Sequence, residues 1–212
     1  MNRLMIFAFS LLLSGGLAAQ GFSGNIEFKY YTQKDTSLNV YIVKNQAVKL
    51  DQYARRDNKT VEGSFLFDLD AGEVKFLNPK RRLWGRQESK TPQTFAGECV
   101  VTRGSGVKTI AGYKCKEVVV KNSTENTAVT YWIAEENFNF FAPLLKLWNR
   151  KDKQSIYFAQ ITDLKPGSMP LMSEEKQIDT GKTLTRLEVI KITKKQLPDD
   201  VFMVPKDYSK VD

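Results

Sequence analysis

The chain has 212 residues, with 32 Lys and Arg against 24 Asp and Glu, a formal net charge of +8 and no histidine. The lack of histidine excludes histidine-based catalytic triads, dyads and zinc sites. In an exported chain the basic balance points to anionic lipid or cell-envelope surfaces rather than nucleic acid, or simply to a solvated lysine-rich surface.

The first residues have the three-part pattern of a secretory signal peptide. Arg3 supplies the positive charge, Leu4–Leu13 is an apolar stretch, and Ser14–Ala19 supplies small residues for cleavage. The apolar stretch is too short to span a bilayer comfortably, which disfavours the alternative of an uncut membrane anchor. We therefore expect residues 1–19 to be a cleaved signal peptide.

Residues 20–212 are then expected to form a single exported domain, periplasmic or secreted. This part is long enough to bury a hydrophobic core. No cysteine lies near the expected cleavage site, so a lipid anchor of the bacterial lipoprotein kind is not expected. No later apolar run approaches the length of a transmembrane segment.

The chain has two cysteines, Cys99 and Cys115. An oxidising compartment favours pairing them, and a bridge closing a loop of this length would contribute on the order of 3 kcal/mol. A redox pair or metal site is the alternative, but the sequence contains no Cys-x-x-Cys. We predict a structural disulfide.

Alternating apolar and polar residues predict several half-buried strands in the first part of the domain. In the first of them, Ile26, Phe28 and Tyr30 face one way and the polar residues between them face the other. Short turn sequences separate the segments, which favours antiparallel pairing. The predicted strands are Gly24–Tyr30, Leu38–Val43, Ala47–Tyr53, Gly63–Asp70, Glu73–Leu77 and Arg82–Gly85.

A central meander is predicted to organise the fold around Lys108–Cys115, where Gly112 allows a sharp turn. Two strand-like runs follow, Glu117–Val120 and Ala128–Ile133. The glycine-rich run Arg103–Gly106 lacks the Gly-Lys-Ser/Thr ending of a phosphate-binding loop, so we interpret it as a hairpin tip.

One convincing helix is predicted after the meander, with Asn139 as a candidate N-cap and Pro143 in the first turn. Its apolar residues recur at the spacing of one helix face. The helix either packs across a sheet as ordinary core or forms a lid over an apolar cavity. Under the second interpretation the ligand-binding residues are Phe138, Phe141, Leu144, Leu145 and Trp148.

Beyond the helix, Ile156, Phe158 and Ile161 alternate with other residues and predict a strand over Ser155–Leu164. A loop is expected at Lys165–Pro170. A last long strand is predicted to open at Gly181, and a single helical turn near the end of the chain.

The sequence shows no catalytic motif. The serines lack the Gly-x-Ser-x-Gly elbow, and adjacent carboxylates such as Glu135-Glu136 and Asp199-Asp200 fall in predicted loops or at helix ends. We therefore expect no enzyme, no cofactor and no metal site. An enzyme whose carboxylates pair only in space is the weakest alternative.

Several short segments together resemble a known family: the exported start, Gly24–Phe28, Lys108–Cys115, Tyr131–Ala134 and the ending Leu197–Tyr208. That family consists of uncharacterised exported domains of Gram-negative bacteria and is similar to the LolA/LolB carriers of outer-membrane lipoproteins. The chain departs from LolB in lacking an N-terminal lipobox cysteine. No arginine is matched to the one that fastens the carriers' lid.

The resemblance implies a mainly β fold, an open, curved antiparallel half-barrel with one or a few helices covering its concave face. In the carriers this hollow holds acyl chains. It therefore implies a periplasmic, non-enzymatic protein that binds a lipid or a lipoprotein acyl chain in an apolar hollow. The alternative is a structural or interaction module that binds cell-envelope proteins, with side chains filling its core.

Overall fold

The computed structural model describes residues 21–88 and 93–211. Within these two ranges the chain forms one twelve-stranded sheet, two α-helices and a 3-10 turn. The strands are β1 Ser23–Thr32, β2 Thr36–Lys44, β3 Ala47–Tyr53, β4 Val61–Asp68, β5 Glu73–Asn78, β6 Leu83–Gln87, β7 Val100–Ile110, β8 Tyr113–Asn122, β9 Thr127–Glu135, β10 Ser168–Gln177, β11 Thr183–Lys194 and β12 Ser209–Lys210. The helices are α1 Phe141–Trp148 and α2 Lys153–Phe158, and the 3-10 turn is Asp199–Phe202.

The predicted signal peptide, residues 1–19, lies outside the described residues. Among the residues that are described, no helix has both the length and the apolar character needed to cross a membrane.

The strands lie in the order β12-β6-β5-β4-β3-β2-β1-β11-β10-β9-β8-β7. Neighbours are antiparallel, except that β12 runs parallel to β6. Two antiparallel ladders, β1 to β6 and β7 to β10, are joined by β11, which pairs with both β1 and β10. The predicted meander around Gly112 is therefore the β7-β8-β9 end of the sheet.

The sheet curls into a half-barrel around the helices. Helix α1 contacts both β5 and β10, and five strands lie between those two in the sheet. In a flat sheet β5 and β10 would be roughly 29 Å apart, whereas an eight-residue helix is only about 12 Å long. Strong curvature brings both strands to α1, so the predicted fold class, a mainly β half-barrel with helices over its concave face, is confirmed.

The inward faces of the strands supply most of the core. On β1, Ile26 and Phe28 are buried and the intervening residues are more exposed, as the alternation predicts. The rings of Phe28 and Tyr41 stack with centroids 4.8 Å apart. The apolar face of α1 closes this core from the other side, through the buried side chains of Phe141 and Leu144.

The segment predicted as a strand over Ser155–Leu164 is helical instead, at α2. Asp152 caps it by accepting hydrogen bonds from the backbone N–H and the hydroxyl of Ser155, both at 2.9 Å. Its buried side chains, Gln154, Tyr157 and Phe158, are spaced at i, i+3 and i+4. The alternation of Ile156 and Phe158 was a misleading signal, because Phe158 belongs with Gln154 and Tyr157 to one helix face and Ile156 does not.

Two glycines explain why Arg103–Gly106 is not a hairpin tip. The β7–β8 register shifts between Arg103 and Val107, so the glycine-rich run forms a bulge inside β7. A Cβ on Gly104 would lie 2.1 Å from a carboxylate oxygen of Glu117, and one on Gly106 would lie 2.7 Å from the Trp132 ring. A side chain at either position would therefore have to displace Glu117 or Trp132, and glycine avoids this.

The predicted loop Lys165–Pro170 is also partly wrong, because β10 starts at Ser168. Pro170 lies inside this strand at a register shift in its pairing with β9. A bulge tolerates proline, since a ladder hydrogen bond is already missing there.

The predicted Cys99–Cys115 disulfide does not form, and both cysteines are free. Cys99 lies beside Asn122, whose amide nitrogen is 3.9 Å from its sulfur, whereas Cys115 pairs with Lys108 further along the hairpin. Seven residues of β8 separate Asn122 from Cys115, or roughly 23 Å. A disulfide requires Cα atoms within about 7 Å.

We predict that protein unfolded without reductant presents two reactive thiols per chain, and that Cys99→Ser presents one. In the folded protein Cys99 should react first, because Cys115 is fully buried and burial raises the pKa of its thiol to about 11. A thiol titration with a chromogenic disulfide reagent measures both. Detection of no thiol in the unfolded protein would contradict the strand register.

Candidate functional site

An inner cavity of about 120 Å³ lies between the concave face of the sheet and α1. Most of its wall is apolar, formed by Phe28, Leu50, Tyr131, Phe141, Leu145, Trp148, Phe158, Met169, Leu187 and Val189. Polar side chains gather on part of the wall, among them Tyr30, Asn39, Tyr41, Gln52, Arg150 and Asp152. The cavity is therefore amphipathic.

An outer groove of about 790 Å³ adjoins the inner cavity on the far side of the helices. It runs between α1, α2 and the loop that leads to β10. Its volume falls within the range of ligand pockets, about 300–1,000 Å³, whereas the inner cavity is smaller. The two spaces share four lining residues, Leu145, Arg150, Ser155 and Phe158, so these side chains form the partition between them.

The five residues predicted to bind ligand take different places. Phe141, Leu145 and Trp148 line the inner cavity, and Leu145 also lines the outer groove. Phe138 lines only the outer groove, with its ring packed 5.3 Å from that of Phe22. Leu144 is fully buried and lines neither space, which makes it core.

Helix α1 has no side-chain cap at its N-terminal end and is held at its C-terminal end by aromatic packing. Asn139, the candidate N-cap, lies one residue before the N-cap position Phe140, whose side chain makes no capping hydrogen bond. The other end is held by Trp148, whose ring lies 5.8 Å from that of Phe65 and 5.3 Å from that of Phe67 on β4. Aromatic packing, not capping, therefore positions this helix.

Two residues of the cavity lining that the sequence did not single out, Arg150 and Asp152, lie in the connection between α1 and α2. Arg150 donates from Nε to Asp152 at 2.6 Å, and its guanidinium lies 4.5 Å from the centroid of the Trp148 ring. Asp152 at the same time caps α2. The one available signal was an aspartate three residues before Ser155, which is the spacing of an N-cap interaction.

A buried hydrogen-bond network fixes α2 against the sheet. The Gln154 side chain donates to Thr185 at 2.7 Å and accepts from Ser173, and the Tyr131 hydroxyl donates to the Gln154 carbonyl at 2.8 Å. Thr185 in turn donates to Glu175 at 2.7 Å. Because both the nitrogen and the oxygen of the Gln154 side-chain amide are hydrogen-bonded, the side chain stabilises the helix position without offering free groups to a ligand.

A second attachment joins α2 to the β8–β9 turn through Glu125. Its carboxylate accepts hydrogen bonds from Lys153 and Tyr157, both at 2.5 Å, and from the Ala96 backbone N–H at 3.2 Å. Burial acts to raise the pKa of Glu125, but these hydrogen bonds and the Lys153 charge hold it below its ordinary value.

The phenols of the inner cavity are kept neutral. Burial raises the pKa of Tyr41, Tyr30 and Tyr131 above the ordinary value. Neutral hydroxyls beside the apolar part of the wall can orient a polar head group while the apolar part accepts hydrocarbon. In the described part of the chain, no group of three or more His, Cys, Asp or Glu side chains could hold a metal ion.

A model of the family described as a domain of unknown function, DUF4412, matches residues 22–208. The chain belongs to the DUF4412 family. This confirms the predicted membership of an uncharacterised domain family. No curated protein matches the chain.

Two solved structures are similar to this DUF4412 domain with TM-scores just above 0.5. One is an uncharacterised conserved protein from Thermus thermophilus, at 12% identity, TM-score 0.51, and coverage of 89% of this chain and 90% of the other. The other is from the MucA/MucB complex of Pseudomonas aeruginosa, at 12% identity and TM-score 0.52, covering 91% of this chain and 59% of the other. At such identities both show the fold alone.

A LolA superfamily protein from Nitrosomonas europaea is also among the similar structures. It shares 11% identity over 87% of this chain and 90% of its own, and its TM-score of 0.36 is too low to support an argument.

We predict that Glu125→Gln destabilises the protein by about 1–3 kcal/mol at pH 7, the usual cost of losing hydrogen bonds to a charged group. Because the folded-state pKa of Glu125 is lowered, its contribution is present above the unfolded-state pKa and disappears as the pH falls through the folded value. The gap in melting temperature between wild type and variant should therefore close in acid.

The matched control is Glu98→Gln, which changes an exposed carboxylate and should leave the melting temperature nearly unchanged at both pH values. If the difference in melting temperature between wild type and Glu125→Gln stays constant from neutral to acidic pH, the carboxylate charge does not hold α2.

Proposed function

We propose that this DUF4412 protein is a non-enzymatic protein of the cell envelope that holds a lipid, or the acyl chain of a lipidated partner, in the hollow of its half-barrel. The proposal includes export to the periplasm, which rests on the signal-peptide pattern of residues 1–19.

The observation that carries the proposal is the adjacency of the two spaces. An apolar inner cavity and a larger outer groove are separated by single side chains, of which Leu145 and Phe158 are apolar. An extended hydrocarbon chain that displaced these two side chains would pass from the groove into the cavity. Burial of its methylenes would contribute about 0.8 kcal/mol each.

The size of the inner cavity indicates which part of the ligand it takes. At about 120 Å³ it is close to the roughly 150 Å³ of an engineered apolar cavity that binds benzene. It therefore accepts only one end of the ligand, while most of the hydrocarbon lies in the groove. Leu145 would then contact the ligand on both sides of the partition.

We predict that Leu145→Ala weakens binding of a fluorescent fatty-acid probe while lowering the apo melting temperature only modestly. Leu145 is half-buried and borders open space on two sides, so its removal leaves little new cavity but deletes contacts to the probe. Fluorescence titration and thermal unfolding measure the two effects.

The matched control is Leu144→Ala on the same helix. Leu144 is fully buried and lines neither space, so its truncation should cost about 2–5 kcal/mol of stability, and the remaining folded protein should bind the probe normally. Strong destabilisation by Leu145→Ala with unchanged probe binding would mean that α1 is ordinary packing.

A second candidate function, binding of an envelope protein, is favoured by the edge of the sheet. Strand β7 pairs with β8 only, among the described residues, and nearly all of its residues are exposed. Val100 is 63% exposed and Val107 is 55% exposed. A long edge with exposed apolar residues can pair with a strand of another protein.

This candidate predicts that Val107→Glu abolishes recovery of a partner from envelope extracts without affecting the fatty-acid probe. The residue is exposed, so the melting temperature should stay within a few degrees of wild type. If wild type and Val107→Glu recover the same proteins in equal amounts, the β7 edge has no role in binding a partner.

A further inference from the structure

We propose that the ligand of the hollow carries an anionic head, a carboxylate or a phosphate, which Arg150 binds at the partition between the outer groove and the inner cavity. The inference rests on the proposed lipid-binding function and narrows its ligand to an acidic amphiphile, such as a fatty acid or an acidic phospholipid. A neutral acyl amide or ester would not satisfy the same groups.

Arg150 occupies the one region where a head group meets both spaces. It lines the inner cavity and the outer groove, next to Leu145 and Phe158. Its side chain is 40% exposed, so the guanidinium is accessible without being fully solvated. A ligand whose hydrocarbon chain lies in the outer groove and whose head enters between Leu145 and Phe158 would place that head beside this guanidinium.

The hydrogen bonds around Arg150 leave its terminal donors free, whereas the carboxylate of Asp152 is fully engaged. Arg150 uses Nε for Asp152, and among the described residues its two terminal NH₂ groups meet no acceptor. Both oxygens of Asp152 are already engaged, one by Arg150 and the other by Ser155. The Tyr41 hydroxyl is likewise without a hydrogen-bond partner in the described structure.

The charges of the outer groove also favour an anion, whereas those of the inner cavity balance. The outer groove is lined by three cationic side chains, Lys146, Arg150 and Lys165, and by no carboxylate among the described residues. Lys165 is partly neutralised by Glu135 at 2.9 Å. In the inner cavity Arg150 is the single cation and Asp152 the single carboxylate of the described lining.

The geometry of a guanidinium suits this role. Asp152 occupies the Nε edge, which leaves the end formed by the two NH₂ groups for a two-pronged contact with a carboxylate or phosphate. The ring of Trp148 at 4.5 Å holds the guanidinium plane in place. A cationic head would find no free Asp152 oxygen to pair with and would face the cationic lining of the outer groove.

The test compares ligands that share one ten-carbon chain and differ only in the head: decanoate, decyl phosphate, decanol and decylamine. Displacement of a fluorescent acyl probe from the wild-type protein gives their affinities. We expect the two anions to bind about tenfold more tightly than decanol, and decylamine to bind weakest. The ratio of decanoate to decyl phosphate distinguishes a fatty acid from a phospholipid as the source of the charge.

Two variants of the same ion pair should shift the anions in opposite directions. Arg150→Gln should reduce decanoate affinity about tenfold and leave decanol within twofold of wild type. Asp152→Asn should increase decanoate affinity severalfold, because it removes the competing carboxylate yet keeps an N-cap side chain for α2. If Arg150→Gln folds poorly, the increase in decanoate affinity expected for Asp152→Asn still tests the proposal.

The outcomes separate this inference from the proposed function. If none of the four ligands displaces the probe, the lipid-binding function itself fails. If all four bind equally, or if Arg150→Gln weakens every ligand by the same factor, the hollow binds hydrocarbon and Arg150 only fastens α1 to α2. That result, or tightest binding of decylamine, would overturn the anionic head.

Discussion

A twelve-stranded sheet with one apolar face is covered by helices of only eight and six residues, and the rest of the structure follows from that mismatch. Open twisted sheets of more than about ten strands usually curl or split, and this one curls until α1 reaches both β5 and β10. Curling buries the apolar face but does not fill the hollow completely. The inner cavity and the outer groove are the space that two short helices leave unfilled.

Polar contacts hold α2 and the connection between α1 and α2, which would have to move for a ligand to enter the hollow. The connection between α1 and α2 is fastened by Arg150 with Asp152, and α2 is attached to the sheet edge by Glu125. The Arg150–Asp152 pair is partly exposed, and such ion pairs contribute little net stability compared with buried apolar surface. A ligand can therefore displace the helix connection at small cost while the aromatic contacts of Trp148 with Phe65 and Phe67 keep α1 attached.

The strands could be predicted because burial on one face imposes an alternation that is visible in single segments such as Ile26-x-Phe28. The strand predicted in place of α2 was wrong because Gln154, Tyr157 and Phe158 satisfy a helical period that the alternation of Ile156 and Phe158 hides. The disulfide was wrong because sequence separation does not give register. Three of the five predicted ligand contacts line the inner cavity. Arg150 was not predicted, because a single arginine in the connection between two helices carries no periodic signal. Its position also depends on how the sheet curls.

The central claim is that the hollow receives a hydrocarbon chain. Native mass spectrometry of the protein purified from its own cells without detergent tests this claim most directly. The account predicts a mass excess of one lipid per chain that is lost after organic extraction and identified in the extract as an acyl compound. Protein that carries only its own polypeptide mass, and that acquires no mass excess after incubation with lipid vesicles, would contradict it.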